Sequence, residues 1–289
     1  MSTRTIQDLL PFVEMPSRYL GTERNAIRKD WQTVGLKIAL AFPDLYEIGT
    51  SHFGLQILYH LLNQEVDILA ERVYAPAEDM EAELRAAGLP LGALESGRPL
   101  ADFDIIGFSL LYELNYTNIL NMLDLAGLAL WAGERSESDP LVIGGGPCAV
   151  NPEPLADFFD AIVVGDGEQV TLEMMRVWQQ WKGGGGSKAG LLKMWAAIEG
   201  VYVPSLYEVT YDLAGHQVTL AKPGVPERVR RAVVADLDAA VFPETPILPF
   251  GRPVHDRLRL EISRGCTRGC RFCQAGMIYR PVRERSPAT

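Results

Sequence analysis

Cysteine is scarce in this chain, four in 289 residues, and three of the four fall in one short stretch near the C-terminal end. So few thiols exclude a disulfide-stapled scaffold and fit a reducing compartment. No apolar run is long enough to cross a bilayer. The first thirty residues carry charges without the apolar core of a signal peptide, so the sequence predicts a cytoplasmic protein that does not engage a membrane. A uniform basic excess is also missing. The net charge is −10, yet residues 252–289 hold nine arginines against three carboxylates, which is +6 and leaves −16 for the remainder. An acidic body of this kind does not indicate a nucleic-acid partner, although the basic end could steer an anionic substrate.

What the chain does have is Cys266-Thr-Arg-Gly-Cys270-Arg-Phe-Cys273. Such a loop directs three thiolates at one centre and supplies no fourth ligand, so whatever binds keeps one open coordination position. A [4Fe-4S] cluster takes four thiolates when fully ligated, and three would leave one iron free for a small chelating molecule. Gly265 and Gly269 are expected to allow the tight backbone that this needs. Arg264, Arg268 and Arg271 add positive charge beside thiols that must lose protons on binding. Zinc is the competing ligand. Structural zinc sites are four-coordinate and usually built from two ligand pairs, whereas the remaining Cys148 lies over a hundred residues upstream and the nearest histidine is His255.

From residue 36 to 170 the pattern is strand, loop, helix, repeated. Leu36 to Phe42, Asp67 to Tyr74, Asp104 to Leu110, Pro140 to Ile143 and Ala161 to Val164 read as strands. Between them lie helical stretches from Phe53 to Asn63, after Pro76 and near Tyr116 to Leu128. This alternation predicts an α/β domain with a mostly parallel, Rossmann-like sheet, and a ligand site where the strands end. Gly144-Gly145-Gly146 and Gly165-Asp-Gly-Glu168 fall at such ends. Three glycines there are commonly only a turn, and acidic residues at a helix start commonly only complement its dipole. His52 reads as a solvated or capping residue at a helix start rather than a metal ligand, and Cys148 as a small buried apolar residue. A helix from Val170 to Trp181, a flexible break at Gly183 to Ser187, a helix from Leu191 to Ile198, and a β-hairpin or short extended segments over Tyr202 to Tyr211 and Gln217 to Ala221 follow. A proline-rich connector then runs from Pro223 to Pro253.

The Cys266-x-x-x-Cys270-x-Phe-Cys273 loop resembles the signature of radical SAM enzymes. The resemblance implies a [4Fe-4S] cluster on Cys266, Cys270 and Cys273, chelation of S-adenosylmethionine at the open iron, and one-electron cleavage to a 5'-deoxyadenosyl radical, with Phe272 along the adenine. It also implies a reducing partner such as a flavodoxin or ferredoxin. Leu258 to Ile262 would be the first strand of the family's (β/α) barrel. Only 16 residues follow Cys273, so the chain reads as truncated within that barrel and inactive alone. Further upstream, Asp44-x-Tyr46-x-x-Gly49, Ser109-Leu-Leu111 and Gly144-Gly145 follow the order of motifs in cobalamin-binding domains. The resemblance thereby assigns Tyr46, Gly49, Ser109, Gly144 and Gly145 to a cobalamin-like pocket, with Tyr46 where the family has its cobalt-ligating histidine. Pro16-Ser-Arg-Tyr-Leu-Gly21, Phe103-Asp-Ile-Ile-Gly107, Asn151-Pro-Glu-Pro154 and Arg264-Gly-Cys266 extend the likeness to a bacterial radical SAM group of uncharacterised reaction.

The expected organisation is an N-terminal extension (1–34), a cobalamin-binding-like domain (35–182), a linker with a helix and short β segments (183–253) and the start of a radical SAM domain (254–289). The expected activity is radical chemistry on an unknown substrate, such as methyl or methylthio transfer. The alternative is a noncatalytic zinc-binding or interaction module.

Overall fold

A computed structural model describes residues 5–251, 254–255 and 257–289. The connector's expected end at Pro253 lies outside the described residues.

Strand β1 (Leu36–Phe42) leads through a single turn, α1 (Tyr46–Gly49), into α2 (Phe53–Gln64) and then β2 (Ile68–Tyr74). Helix α3 (Glu78–Ala87), β3 (Ile105–Ser109), α4 (Tyr116–Leu125), β4 (Leu141–Gly145) and β5 (Ala161–Val163) follow, then α5 (Gly167–Gly184), α6 (Lys188–Ala196) and β6 (Val201–Tyr202). These strands form one six-stranded sheet in the order β2-β1-β3-β4-β5-β6, parallel except for β6. The expected parallel α/β domain is therefore present.

Side chains of successive strand residues point to opposite faces, and β1 shows both faces filled. Ile38, Leu40 and Phe42 join a core layer with Leu55, Tyr59 and Leu62 of α2 and Met174, Trp178 and Trp195 of α5 and α6. Ala39 and Ala41 face the other layer, with Met80 and Leu84 of α3 and Ile119, Met122 and Leu123 of α4. Because helices cover both faces, the strands read as nearly continuous apolar runs rather than alternating ones.

β2 carries charges inside this sheet. Arg72 lies between Glu95 (Nε to Oε1, 2.6 Å) and Glu23 (Nη2 to Oε2, 3.0 Å), all three side chains being buried. Helix α5 continues through Gly183 and Gly184, where the sequence suggested a break. It stops at Gly185, whose φ of +69° is the left-handed conformation that ends helices.

Two expectations fail. Tyr202 belongs to β6 in the main sheet, so the hairpin starts only at β7 (Tyr207–Tyr211), paired with β8 (Gln217–Ala221). Leu258 to Ile262 is not a strand. Its apolar side chains Leu258, Leu260 and Ile262 are exposed, and without a layer to bury them nothing stabilises a parallel barrel strand. Instead a two-residue strand, β9 (Ser263–Arg264), pairs antiparallel with β10 (Arg283–Glu284) after the short helix α7 (Ala275–Ile278).

Candidate functional site

The chain leaves β1 for β2 on one side and returns to β3 on the other, so the order of the sheet reverses between β1 and β3. Open α/β sheets bind ligands at the carboxyl ends of strands beside such a switch point. A cavity of about 430 Å³ lies there, walled by Leu40, Phe108, Ser109, Gly144, Gly145, Val163 and the loop Gly165–Glu168. Helix α2 closes one flank with His52, Leu55 and Leu58. Glu261, Ser263, Arg264, Gly265 and Tyr279 of the C-terminal segment form the remaining wall. The segment that carries the three cysteines is thus seated at the mouth of the strand-end cleft.

Charge holds it there. The Gly165-Asp-Gly-Glu168 acids sit at the first turn of α5, but Asp166 makes no side-chain cap bond to the helix. Its Oδ2 accepts from Val234 N (2.8 Å) and contacts the Arg283 guanidinium. Arg264 lies 3.5 Å from Asp166 Oδ1, contacts Glu168 Oε1, and donates through Nε to Glu261 Oε1 (2.7 Å). Arg285 completes the set with Glu261 Oε2 at 2.9 Å. Burial disfavours the charged form of Arg264, but bonds from Glu168 and Glu261 outweigh it and raise its pKa.

Backbone shape reinforces the seat at two glycines. Gly165 has φ +115°, and a Cβ there would stand 2.2 Å from Ala232 O. That contact comes from a bridge in which Ala232 donates to Val164 O (2.9 Å) and Asp166 N donates to Ala232 O (3.0 Å). Gly265 has φ +89°, with Tyr279 O 2.6 Å from an added Cβ. By contrast Gly269 has open space around it, so only the first of the two glycines expected to shape the loop is required by its geometry.

The donor chemistry of the loop suits an iron–sulfur cluster. All three thiols are free, Cys266 half-buried and Cys270 and Cys273 exposed. Cys266 Sγ accepts from Arg268 N at 3.4 Å, and Cys273 N donates to Cys270 O at 3.2 Å. Among the described residues, however, no group of three His, Cys, Asp or Glu side chains is gathered to hold a metal ion. Drawing the thiols together is a change in loop conformation that would be coupled to metal binding. Phe272 is 92% exposed, so it does not pack under the loop.

The residues assigned to a cobalamin-like pocket divide. Ser109, Gly144 and Gly145 line the cleft; Tyr46 and Gly49 do not. The Tyr46 hydroxyl donates to Glu23 Oε1 and accepts from Phe250 N, each at 3.0 Å. Burial and the Glu23 carboxylate push its pKa up. Gly49 packs beneath the Tyr74 ring. Glu47 pairs with Arg18 at 2.8 Å and Asp44 accepts from Leu45 N at 2.8 Å, so both carboxylates serve local structure.

His52 caps α2, its Nδ1 accepting from Leu55 N at 3.1 Å, and burial followed by Arg259 pushes its pKa down to about 4. Cys148 is buried, its thiol pushed up by burial and then by Glu113. Both behave as the sequence suggested. The residues it did not single out are Asp166, Glu168, Arg264 and Arg283 acting as one set. An arginine-rich C-terminal segment paired with an acidic body, and two acids at a strand's carboxyl end, were the available signal.

Residues 54–204, just over half of the chain and spanning α2 through β6, match the family model for the N-terminal region of radical SAM proteins. The chain belongs to this family. An uncharacterized protein of Methanocaldococcus jannaschii is 24% identical over 250 residues, covering 86% of this chain and 43% of that protein. The chain therefore spans less than half the length of this curated relative. The cysteine loop lies outside the matched span. Among the described residues no helix is long and apolar enough to cross a membrane.

Proposed function

We propose that the intact protein is a radical SAM enzyme in which Cys266, Cys270 and Cys273 hold a [4Fe-4S] cluster and its S-adenosylmethionine. The observation that carries this reading is the position of the three-cysteine loop: it adjoins the strand-end cleft of a domain that matches the radical SAM N-terminal region. When bound, the cluster would supply the electron that cleaves S-adenosylmethionine, drawn from a reducing partner such as a flavodoxin or ferredoxin.

The chain's own residues account for the surroundings. Leu40, Phe108 and Val163 give the cleft an apolar wall beside the loop's entry. Ser109 and Tyr279 line the same cleft, where they can contact a substrate. Methyl or methylthio transfer is among the outcomes open to such radical chemistry, and no residue of the cleft selects one of them.

Anaerobic reconstitution of the full-length gene product tests it. The expected result is about four irons and four sulfides per chain, a spectrum perturbed by S-adenosylmethionine, and reductive cleavage of that molecule. Stoichiometric zinc with no response to S-adenosylmethionine would overturn the reading.

A further inference from the structure

The C-terminal segment is held to the sheet without a hydrophobic interface. Among its described residues from 254 to 289, only Gly276 and Arg283 are buried, while Leu258, Leu260, Ile262, Phe272 and Met277 face solvent. Apolar burial is the usual means of docking one segment on another, and here it is nearly absent. Polar contacts take its place: Asp166 and Glu168 pair across the seam with Arg264 and Arg283, Glu261 ties Arg264 to Arg285 within the segment, and Arg283 and Arg285 donate to the Val234 and Leu237 carbonyls. Arg264, Arg283 and Arg285 alternate with Asp166, Glu168 and Glu261, and each side chain is 15% exposed or less. Exposed ion pairs contribute little, but at this burial the loss of one partner strands a charge away from water. Positive and negative members are equal in number, so the intact set leaves no net charge at the seam.

The connectivity is directional. Asp166 and Glu168 stand at the carboxyl end of β5 in the family-matched domain, and Arg264 and Arg283 are the paired residues of β9 and β10 that bracket the cysteine loop. Arg264 stands two residues before Cys266, so capturing its guanidinium fixes the entry of that loop at the cleft mouth. A single ammonium could not reproduce this, because Arg264 reaches three carboxylates through different nitrogens of one planar fork.

We propose that Asp166 and Glu168 are positioning residues for the cysteine loop: through Arg264 and Arg283 they hold Cys266 at the mouth of the strand-end cleft, so that the N-terminal domain supplies half of the site. The functional consequence rests on the reading of that loop as a cluster site; the latch itself does not.

Hydrogen exchange by mass spectrometry on the unloaded chain decides the point. Glu168→Gln, which keeps the side-chain shape and removes its charge, should speed exchange of residues 262–266 and 282–286 about tenfold or more while leaving the core strands 36–42 and 105–109 unchanged. A cycle with Arg264→Gln separates a direct pair from general weakening: the double variant should exchange no faster than Arg264→Gln alone. Unaltered exchange in the segment, fully additive effects, or a parallel rise in the core strands would overturn the proposal. Iron loading of the full-length gene product keeps the two readings apart. A full-length protein that takes up no iron refutes the cluster assignment, while the exchange result still decides the latch.

Discussion

Acidification from pH 7 to pH 5 should cost this protein about 2 kcal/mol through one side chain, His52. The imidazole caps α2 with its Nδ1 lone pair, beside the Phe42 ring, 5.4 Å between centroids. Protonation would abolish the acceptor and place a cation near Arg259 in a poorly hydrated wall. The folded-state pKa is accordingly depressed, to about 4 from an ordinary 6.5. A base held neutral in the native state contributes no penalty above its unfolded pKa. Stability then falls as pH drops through 6.5 and levels off below 4, where the full difference of 2.5 units amounts to about 3 kcal/mol. At pH 5 the unfolded chain is almost fully protonated at this position and the native state about one-tenth so, which gives the figure of about 2 kcal/mol. Urea unfolding of the wild type and His52→Asn at both pH values isolates the effect. Asparagine is a strong N-cap that does not titrate, so the variant should lose about 2 kcal/mol less between pH 7 and pH 5. Equal losses in the two proteins would mean that His52 is not held neutral by burial, and the argument fails.

Three other outcomes follow from the same geometry. Arg72→Met strands Glu23 and Glu95, whose side chains are 1% exposed or less, and should cost about 3–5 kcal/mol in urea unfolding; restoring neutrality with Glu23→Gln and Glu95→Gln should recover most of it, and a loss below about 1 kcal/mol contradicts the buried-pair account. Tyr46→His supplies an imidazole where cobalamin-binding domains have theirs, but residue 46 is closed off by Glu23 and the Phe250 amide, so added cobalamin should show no change in its absorption spectrum; a shift typical of histidine ligation would place residue 46 in a cofactor pocket after all. Individual Cys266→Ser, Cys270→Ser and Cys273→Ser variants should each lose most of the iron and sulfide bound after anaerobic reconstitution, whereas Cys148→Ser, altering a buried thiol away from the loop, should retain it; indifference to the loop substitutions would move the metal elsewhere.

The sheet was legible because its signal is local and repeated. Leu36 to Phe42 is apolar on both faces and was read to the residue, since a central parallel strand must bury both. The other parallel strands came within a residue or two for the same reason, whereas the short antiparallel β6 was missed. The signal weakens where exposure replaces burial. Leu258 to Ile262 alternates apolar and charged residues as a half-buried strand does, yet a strand also needs a neighbour to take its hydrogen bonds. That partnership is tertiary, and no property of five residues announces it. Gly183 to Gly186 misled in the opposite direction: glycine weakens a helix by roughly 1 kcal/mol per residue, but two of them are carried at the end of α5, a helix already anchored through Met174 and Trp178.

The candidate site was legible by halves. Three cysteines within eight residues declare themselves because their ligand chemistry is contained in the loop. The acids that seat the loop do not, because Glu168 and Arg264 are 96 residues apart and Asp166 and Arg283 are 117 apart. Read locally, an acid at a helix start has a sufficient explanation in the helix dipole, and the reading ends there. What overturns it is that Asp166 gives no bond to its own helix and spends both oxygens on distant partners. Charge bookkeeping by region did carry the information: a C-terminal segment of +6 attached to a body of −16 must either be solvated or be paired across a seam. A segment whose apolar side chains stay in water favours pairing, and the charged pairs act beside hydrogen bonds such as Arg259 to Thr50 O and Arg283 to Val234 O.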